Sequence, residues 1–135
     1  MNPPSEVPSS LRFPKRFRLR RRPEFTRTMD NGQKIVTQAL VMIAVPSHGP
    51  TSRIGFIVSK KVGGSVTRNR VRRRLRELFR QLPARPVGMD IVVIARHHAV
   101  RMDFETLRQA MTYAMGKSVK RIVKDAEQKA ALKPA

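Results

Sequence analysis

Residues 53–82, RIGFIVSKKVGGSVTRNRVRRRLRELFRQL, decide the architecture. In the first part Ile54, Phe56 and Val58 alternate with Gly55, Ile57 and Ser59, the period-two pattern of a strand. The turn Lys60-Lys61-Val62-Gly63-Gly64-Ser65 follows, and the period then changes. Val71, Leu75, Leu78 and Leu82 fall at i, i+4, i+7 and i+11, a single narrow apolar stripe of a helix. At 100° per residue the stripe covers about 60°, and Asn69, Arg73, Arg76 and Arg80 gather roughly opposite, flanked by Arg70 and Arg72. Ser65 predicts the N-cap and Pro83 the end of this helix.

Working outward, Ala39 to Val45 (ALVMIAV) is a second apolar run. A turn-rich loop joins it to the strand at residues 53–59, so the two predict an antiparallel hairpin. A further short strand is expected near Lys34 to Thr37. Before it, Pro23 suits a first helical turn, Glu24 complements the helix dipole there, and Gly32 is a stop, giving a helix from Pro23 to Asn31. Downstream, Asp90 to Ala95 (DIVVIA) predicts a strand buried on both faces. Asp103 caps a last helix whose apolar face holds Phe104, Leu107, Met111, Ala114 and Met115, with Val119, Ile122 and Val123 extending it toward Lys124. Gly116 offers a point at which it would break in two. The order αβββαβα predicts an α+β fold: a two-layer sandwich with helices packed on a four-stranded mixed sheet.

The chain has 135 residues, enough for one domain with a real core. Residues 13–124 carry the periodic pattern. Residues 1–12, with Pro3, Pro4 and Pro8, and the Ala/Lys-rich residues 125–135 read as disordered tails. Lys and Arg number 29 against 9 Asp and Glu, a net charge of +20, which asks for a polyanionic partner. The 40% hydrophobic content argues against full disorder. Absence of cysteine excludes disulfide scaffolds, thiolate metal sites and thiol nucleophiles, and fits a cytoplasmic location. No apolar run reaches the roughly 18–20 residues of a membrane span, and Met1 to Ser10, without a basic region followed by an apolar block, does not read as a secretory signal.

The segment from Arg68 to Arg80 holds seven arginines and one acid, Glu77. A solvated helix face mixes signs, whereas one sign used almost alone marks a face neutralised by a partner. Arginine rather than lysine points to phosphate and base edges. The Gly63-Gly64 turn lacks the G-K-[S/T] ending of a nucleotide loop, but it lets backbone approach a phosphate. A second basic run, Arg12 to Arg22, interleaves Phe13, Phe17 and Leu19. For Phe17 and Phe25, stacking on an unpaired base and packing against the sheet are both open; Phe56, Phe79 and Phe104 are assigned to the core. His48, His97 and His98 fit no metal spacing, and no carboxylate cluster or nucleophile–base pair is evident, so no catalytic or metal-ligating residue is expected.

Gly55 to Glu77, with Arg68-Asn69-Arg70 at its centre, closely resembles the signature of the bacterial ribonuclease P protein subunit. Arg18-Leu19 with Pro23-Glu24-Phe25 and Gly32 is similar to that family's opening segment, and residues 90–96 to its last strand. The resemblance covers roughly residues 13–122. It implies a left-handed strand–helix–strand crossover through the arginine-rich helix, against the general rule. It also implies a function: a subunit that binds a catalytic RNA and the 5′ leader of precursor tRNA and promotes endonucleolytic removal of the leader. The RNA would do the chemistry with Mg2+, and the protein itself would need no cofactor. Membrane and small-molecule partners are not expected. The implied RNA contacts are Lys60, Lys61, Arg68, Asn69, Arg70, Arg72, Arg73 and Arg76, and the implied leader cleft includes Phe17, Arg18 and Phe25. A ribosomal or ribosome-assembly RNA binder and a protein-only nuclease are the alternatives. If about five phosphates are neutralised, log affinity for RNA should fall against log salt with a slope of roughly −3.5 to −4.5 in a salt titration, and a flat response would contradict a phosphate-dominated surface.

Overall fold

The computed structural model describes residues 18–47, 49–82 and 88–132. The elements are α1 (Arg22–Asn31), β1 (Gln33–Val36), β2 (Leu40–Pro46), β3 (Arg53–Ile57), α2 (Ser65–Gln81), β4 (Met89–Ala95), a short 3-10 turn (His97–Val100) and α3 (Phe104–Leu132). The strands form one mixed sheet in the order β1-β2-β4-β3. β1 pairs antiparallel with β2, β2 antiparallel with β4, and β3 parallel with β4. Since β3 and β4 are adjacent, parallel and joined through α2, they form the strand–helix–strand unit that the resemblance singles out.

The expected hairpin of β2 with β3 does not form, because β4 lies between them. Burial gives the reason. Ile91, Val92 and Val93 are completely buried, so this apolar strand needs cover on both faces and neighbours on both edges. A central position supplies both, and β3 is left outside it.

Side chains alternate between the two faces. The register aligns Ile35, Met42, Val93 and Phe56 in one row and Lys34, Ile43, Val92 and Gly55 in the next. The first row, with Leu40, Ile54 and Ile91, joins Val71, Leu75, Leu78 and Phe79 of α2 and Leu107, Met111, Ala114 and Met115 of α3 in the main core. Full burial contributes about 1.5–3 kcal/mol for each large side chain. The apolar stripe of α2 is therefore the element's attachment to the sheet. Helix α1 lies on the other face, across β2 and β4, where Gly32 approaches Ile43 and Phe25 approaches Gly55. Two helices thus make the second layer and α1 stands alone opposite them.

Three local expectations are revised. The N-cap of α2 is Gly64, in extended conformation, and Ser65 is the first helical residue. Helix α3 does not break at Gly116, and it runs on to Leu132 instead of giving way to a tail after Lys124. The burial of Met111, Ala114 and Met115 before Gly116 and of Ser118 after it outweighs a glycine's helix penalty of about 1 kcal/mol. The Ala, Glu, Gln and Lys residues beyond are good helix formers in their own right. A Cβ at position 116 would meet nothing within 4 Å. Gly116→Ala should therefore stabilise the protein by about 0.5–1 kcal/mol in urea denaturation, and a loss of stability would show that the glycine has a packing role.

Candidate nucleic-acid interface

The turn before α2 is built for close backbone approach. Val62 N–H donates to Ser59 C=O and Gly63 N–H to Lys60 C=O. Gly63 has φ +153°, and a Cβ there would sit 3.0 Å from the Thr67 side chain, so only glycine fits. Arg68 closes the turn, its Nε donating to Gly63 C=O at 3.2 Å. Lys60 and Lys61 project into solvent beside it.

The predicted RNA contacts divide between two directions. Lys60, Lys61, Asn69, Arg70 and Arg73 are exposed and form an outward basic surface. Arg72 and Arg76 are half-buried and turn toward the outer edge of β3. Asn69 accepts a hydrogen bond from Arg72 at 3.1 Å. Two arginines of the run have structural duties instead: Arg74 donates to Met102 C=O at 3.1 Å, and Arg80 pairs with Glu77.

At the edge of β3 the chain before α1 adds a short strand. Arg18 bridges Ile54 in parallel, and Leu19 N–H donates to Ile54 C=O at 3.0 Å. Leu19 is buried, while Arg18 and Arg20 line a cavity of about 240 Å³ shared with Phe25, Ile54, Phe56, Arg72 and Arg76. Phe17, also expected in this cleft, lies outside the described residues. Phe25 packs on the sheet and also borders this cavity. Its ring rests on Gly55, where a Cβ would come within 2.3 Å of it, and the half-buried ring also lines the cavity. Phe56, assigned to the core from sequence, packs against the core and lines the same cavity.

The cleft's electrostatics are unbalanced. The Nε atoms of Arg18 and Arg76 are buried with no hydrogen-bond acceptor among the described residues. Burial lowers the Arg76 pKa from its ordinary value, and repulsion from Arg18 and Arg72 lowers it further. Four arginines and no carboxylate among the residues lining the cavity make a site that an anion would relieve.

An ion-pair network lies on the sheet face that carries α1. Asp90 is only 2% exposed; Arg53 grips it with Nε at 3.1 Å and Nη2 at 2.9 Å. The Nη1 of Arg53 donates to Glu24 at 2.6 Å. The other Glu24 oxygen accepts the backbone N–H groups of Arg20 and Arg21, both at 3.1 Å. Arg27 adds a contact to Asp90 at 3.9 Å. Thus one chain of contacts ties β4, β3, α1 and the strand carrying Arg18. Sequence reasoning assigned Glu24 only to the helix dipole and passed over Arg53 and Asp90. The available signal was an acid and an arginine at the starts of two apolar strands in an acid-poor chain.

Among the described residues no three His, Asp or Glu side chains group as metal ligands, and no helix is long and apolar enough to cross a membrane. His97 and His98 stack on one another at 4.0 Å.

A mixed sheet with an arginine helix on one edge and a ring-lined cationic cleft beside it defines a protein built to hold a flexible polyanion. The Ribonuclease P sequence profile matches residues 13–126. The ribonuclease P protein component of Citrifermentans bemidjiense is 39% identical over 109 residues, 81% of this chain and 94% of that protein. That of Dehalococcoides mccartyi is 44% identical over 101 residues, 75% and 83% respectively. Among solved structures, the RNase P protein from Thermotoga maritima is 31% identical with a TM-score of 0.68, covering 74% of this chain and 96% of that one. The Staphylococcus aureus RNase P protein is 27% identical with a TM-score of 0.64, covering 82% and 94%. The chain belongs to the ribonuclease P protein family.

The network gives acid sensitivity of a definite sign. Burial opposes ionisation of Glu24, but the N–H groups of Arg21 and Arg20 and the Arg53 guanidinium outweigh it and hold the carboxyl below its ordinary value. A lowered folded-state pKa stabilises above the unfolded value of about 4.3, and the benefit is lost as pH falls through the folded value. Glu24→Gln should cost about 1–2 kcal/mol at neutral pH, and its difference from the native protein should close below about pH 4 in a series of thermal melts. A difference that persists unchanged in acid would contradict this role.

Proposed function

We infer that this chain works as the protein subunit of a ribonuclease P holoenzyme, in tRNA 5′-end maturation. In this reading the outward surface of Lys60, Lys61, Asn69, Arg70 and Arg73, with Arg68 shaping the turn, contacts the catalytic RNA. The cleft takes the single-stranded 5′ leader of precursor tRNA. The observation that carries the reading is the convergence of Arg18, Arg72 and Arg76 beside Phe25 and Phe56 at the edge of β3. Phosphates would neutralise the guanidinium groups, and bases would lie against the rings with little sequence preference. The arginines of α2 meet both anions, so one helix ties the leader to the catalytic RNA and lowers the repulsion between two polyanions.

The protein supplies positioning and charge. In this reading the RNA, with Mg2+ on its phosphates, does the chemistry, and no acid, base or nucleophile is asked of the protein. A cytoplasmic site of action fits a precursor tRNA substrate.

The deciding assay is cleavage of precursor tRNA by a bacterial ribonuclease P RNA at low magnesium, with and without this protein. Stimulation is expected, and its absence overturns the reading; cleavage by the protein alone would make it a nuclease instead. Within the holoenzyme, Phe25→Ala should weaken precursor tRNA binding by about 5- to 100-fold, the range for one lost stacking contact, and spare mature tRNA. Equal weakening of both, with a lower melting temperature, would assign the ring to packing alone.

A further inference from the structure

Helix α3 carries a second cationic face that neither the cleft nor the arginine helix uses. Tyr113, Lys117, Lys120, Arg121 and Lys124 recur at i, i+4, i+7, i+8 and i+11 and are all exposed. At 100° per residue they occupy an arc of about 100°, which begins about 20° beyond the buried Ala114 and runs onto the side facing away from Met111 and Met115. Arg121 donates to Lys34 C=O of β1 at 3.5 Å, which ties the face to the edge strand.

Charge pairing sets this face apart from the rest of the helix. Arg108 is gripped by Glu105 through three hydrogen bonds. Among the described residues, Lys117, Lys120, Arg121 and Lys124 enter no ion pair. Asp125 borders the face but accepts from Gln33 at 3.4 Å, and Glu127 lies at its far end. Like charges one helical turn apart repel, so unpaired clustering of this kind opposes the helix unless an anion covers it.

Position matters as much as charge. The N-terminal strand and its cleft lie on β3, whereas α3 packs on β1 and β2. In the order β1-β2-β4-β3 these are opposite edges of the sheet, three strand spacings or about 14 Å apart before side chains are added. An RNA strand seated in the cleft leaves the α3 face open to a different segment.

The side chains indicate which kind of segment. Three of the four cations are lysines, point charges on flexible stems that neutralise phosphate without reading bases. The one ring, Tyr113, has the Lys117 ammonium 5.7 Å from its centre, so it is a poor platform for stacking an unpaired base. Lys117, Lys120 and Lys124 span about 10 Å along the helix, a length that covers more than one phosphate of a nucleic-acid backbone. We propose that this face is a second RNA contact that takes the phosphate backbone of a double-helical segment.

The test uses the full-length protein and an RNA duplex of about 20 base pairs, long enough for a shape-reading protein. Binding is measured across a salt series for the native chain, for Lys117→Gln/Lys120→Gln, and for the control Arg101→Gln/Arg108→Gln, which removes the same charge elsewhere. The face variant should make the log–log salt slope shallower by about 1.8, from about 0.9 per lost phosphate contact, while the control leaves it within about 0.5 of native. Melting curves check that both variants fold; should the face variant unfold, the milder Lys120→Gln/Lys124→Gln replaces it. Equal effects of face and control variants, or no effect of either, overturn the proposal. So does a face variant that loses binding to phosphatidylglycerol-containing vesicles and keeps its duplex slope. The proposal stands apart from the leader reading: a protein that fails to stimulate cleavage yet binds duplex RNA through this face would overturn that reading and leave this one intact.

Discussion

The arrangement around the cleft depends on a single buried carboxylate. Asp90 sits at the start of the central strand, almost fully removed from water, and a buried charge of this kind is tolerable only with close, well-directed partners. Arg53 from the neighbouring strand supplies two hydrogen bonds, and its third reaches Glu24 on the lone helix of that face. Glu24 in turn holds the backbone leading into α1. The pair thus ties the chain leading into α1 to β3 and β4. In a chain with 29 basic residues and 9 acids, two of those acids are committed to this one junction.

The same scarcity explains why the cleft remains cationic. Acids elsewhere neutralise local arginines, as Glu77 does for Arg80 and Glu105 for Arg108. None faces Arg18, Arg72 and Arg76 among the residues lining the cavity. Repulsion among them is part of the folded state, and it is held there by apolar attachment: Leu19 beneath the N-terminal strand, and Val71, Leu75 and Leu78 beneath α2. The core thus sustains a charge arrangement that an anion would relieve, which is how a small basic protein can couple its stability to RNA.

Much of the fold was legible in the sequence, because it is written in consecutive residues. The alternation of Ile54, Phe56 and Val58 and the stripe of Val71, Leu75, Leu78 and Leu82 need no distant partner to be recognised. Of the exposed members of the candidate RNA surface, Asn69 and Arg73 lie opposite that stripe on the wheel and Arg70 flanks them. Errors occurred where two elements competed for a neighbour. β2 and β3 are close in sequence and look like a hairpin, but β4 has the stronger claim on both because it is apolar on both faces. Gly116 looked like a break, yet the apolar surface on either side of it outweighs one residue's backbone preference.

By itself, then, the sequence determined the helices and strands, the apolar and cationic faces of α2, and the need for a polyanionic partner. Periodicity and charge density are local properties, and local physics sets them. Only the tertiary structure decided the strand order, the isolation of α1 on its own face and the seating of Phe25 on Gly55. It alone brought Arg18 to Arg72 and Arg76, and Arg53 to Asp90, 37 residues away. These meetings depend on which surfaces win burial against one another, and that competition is settled over the whole chain at once.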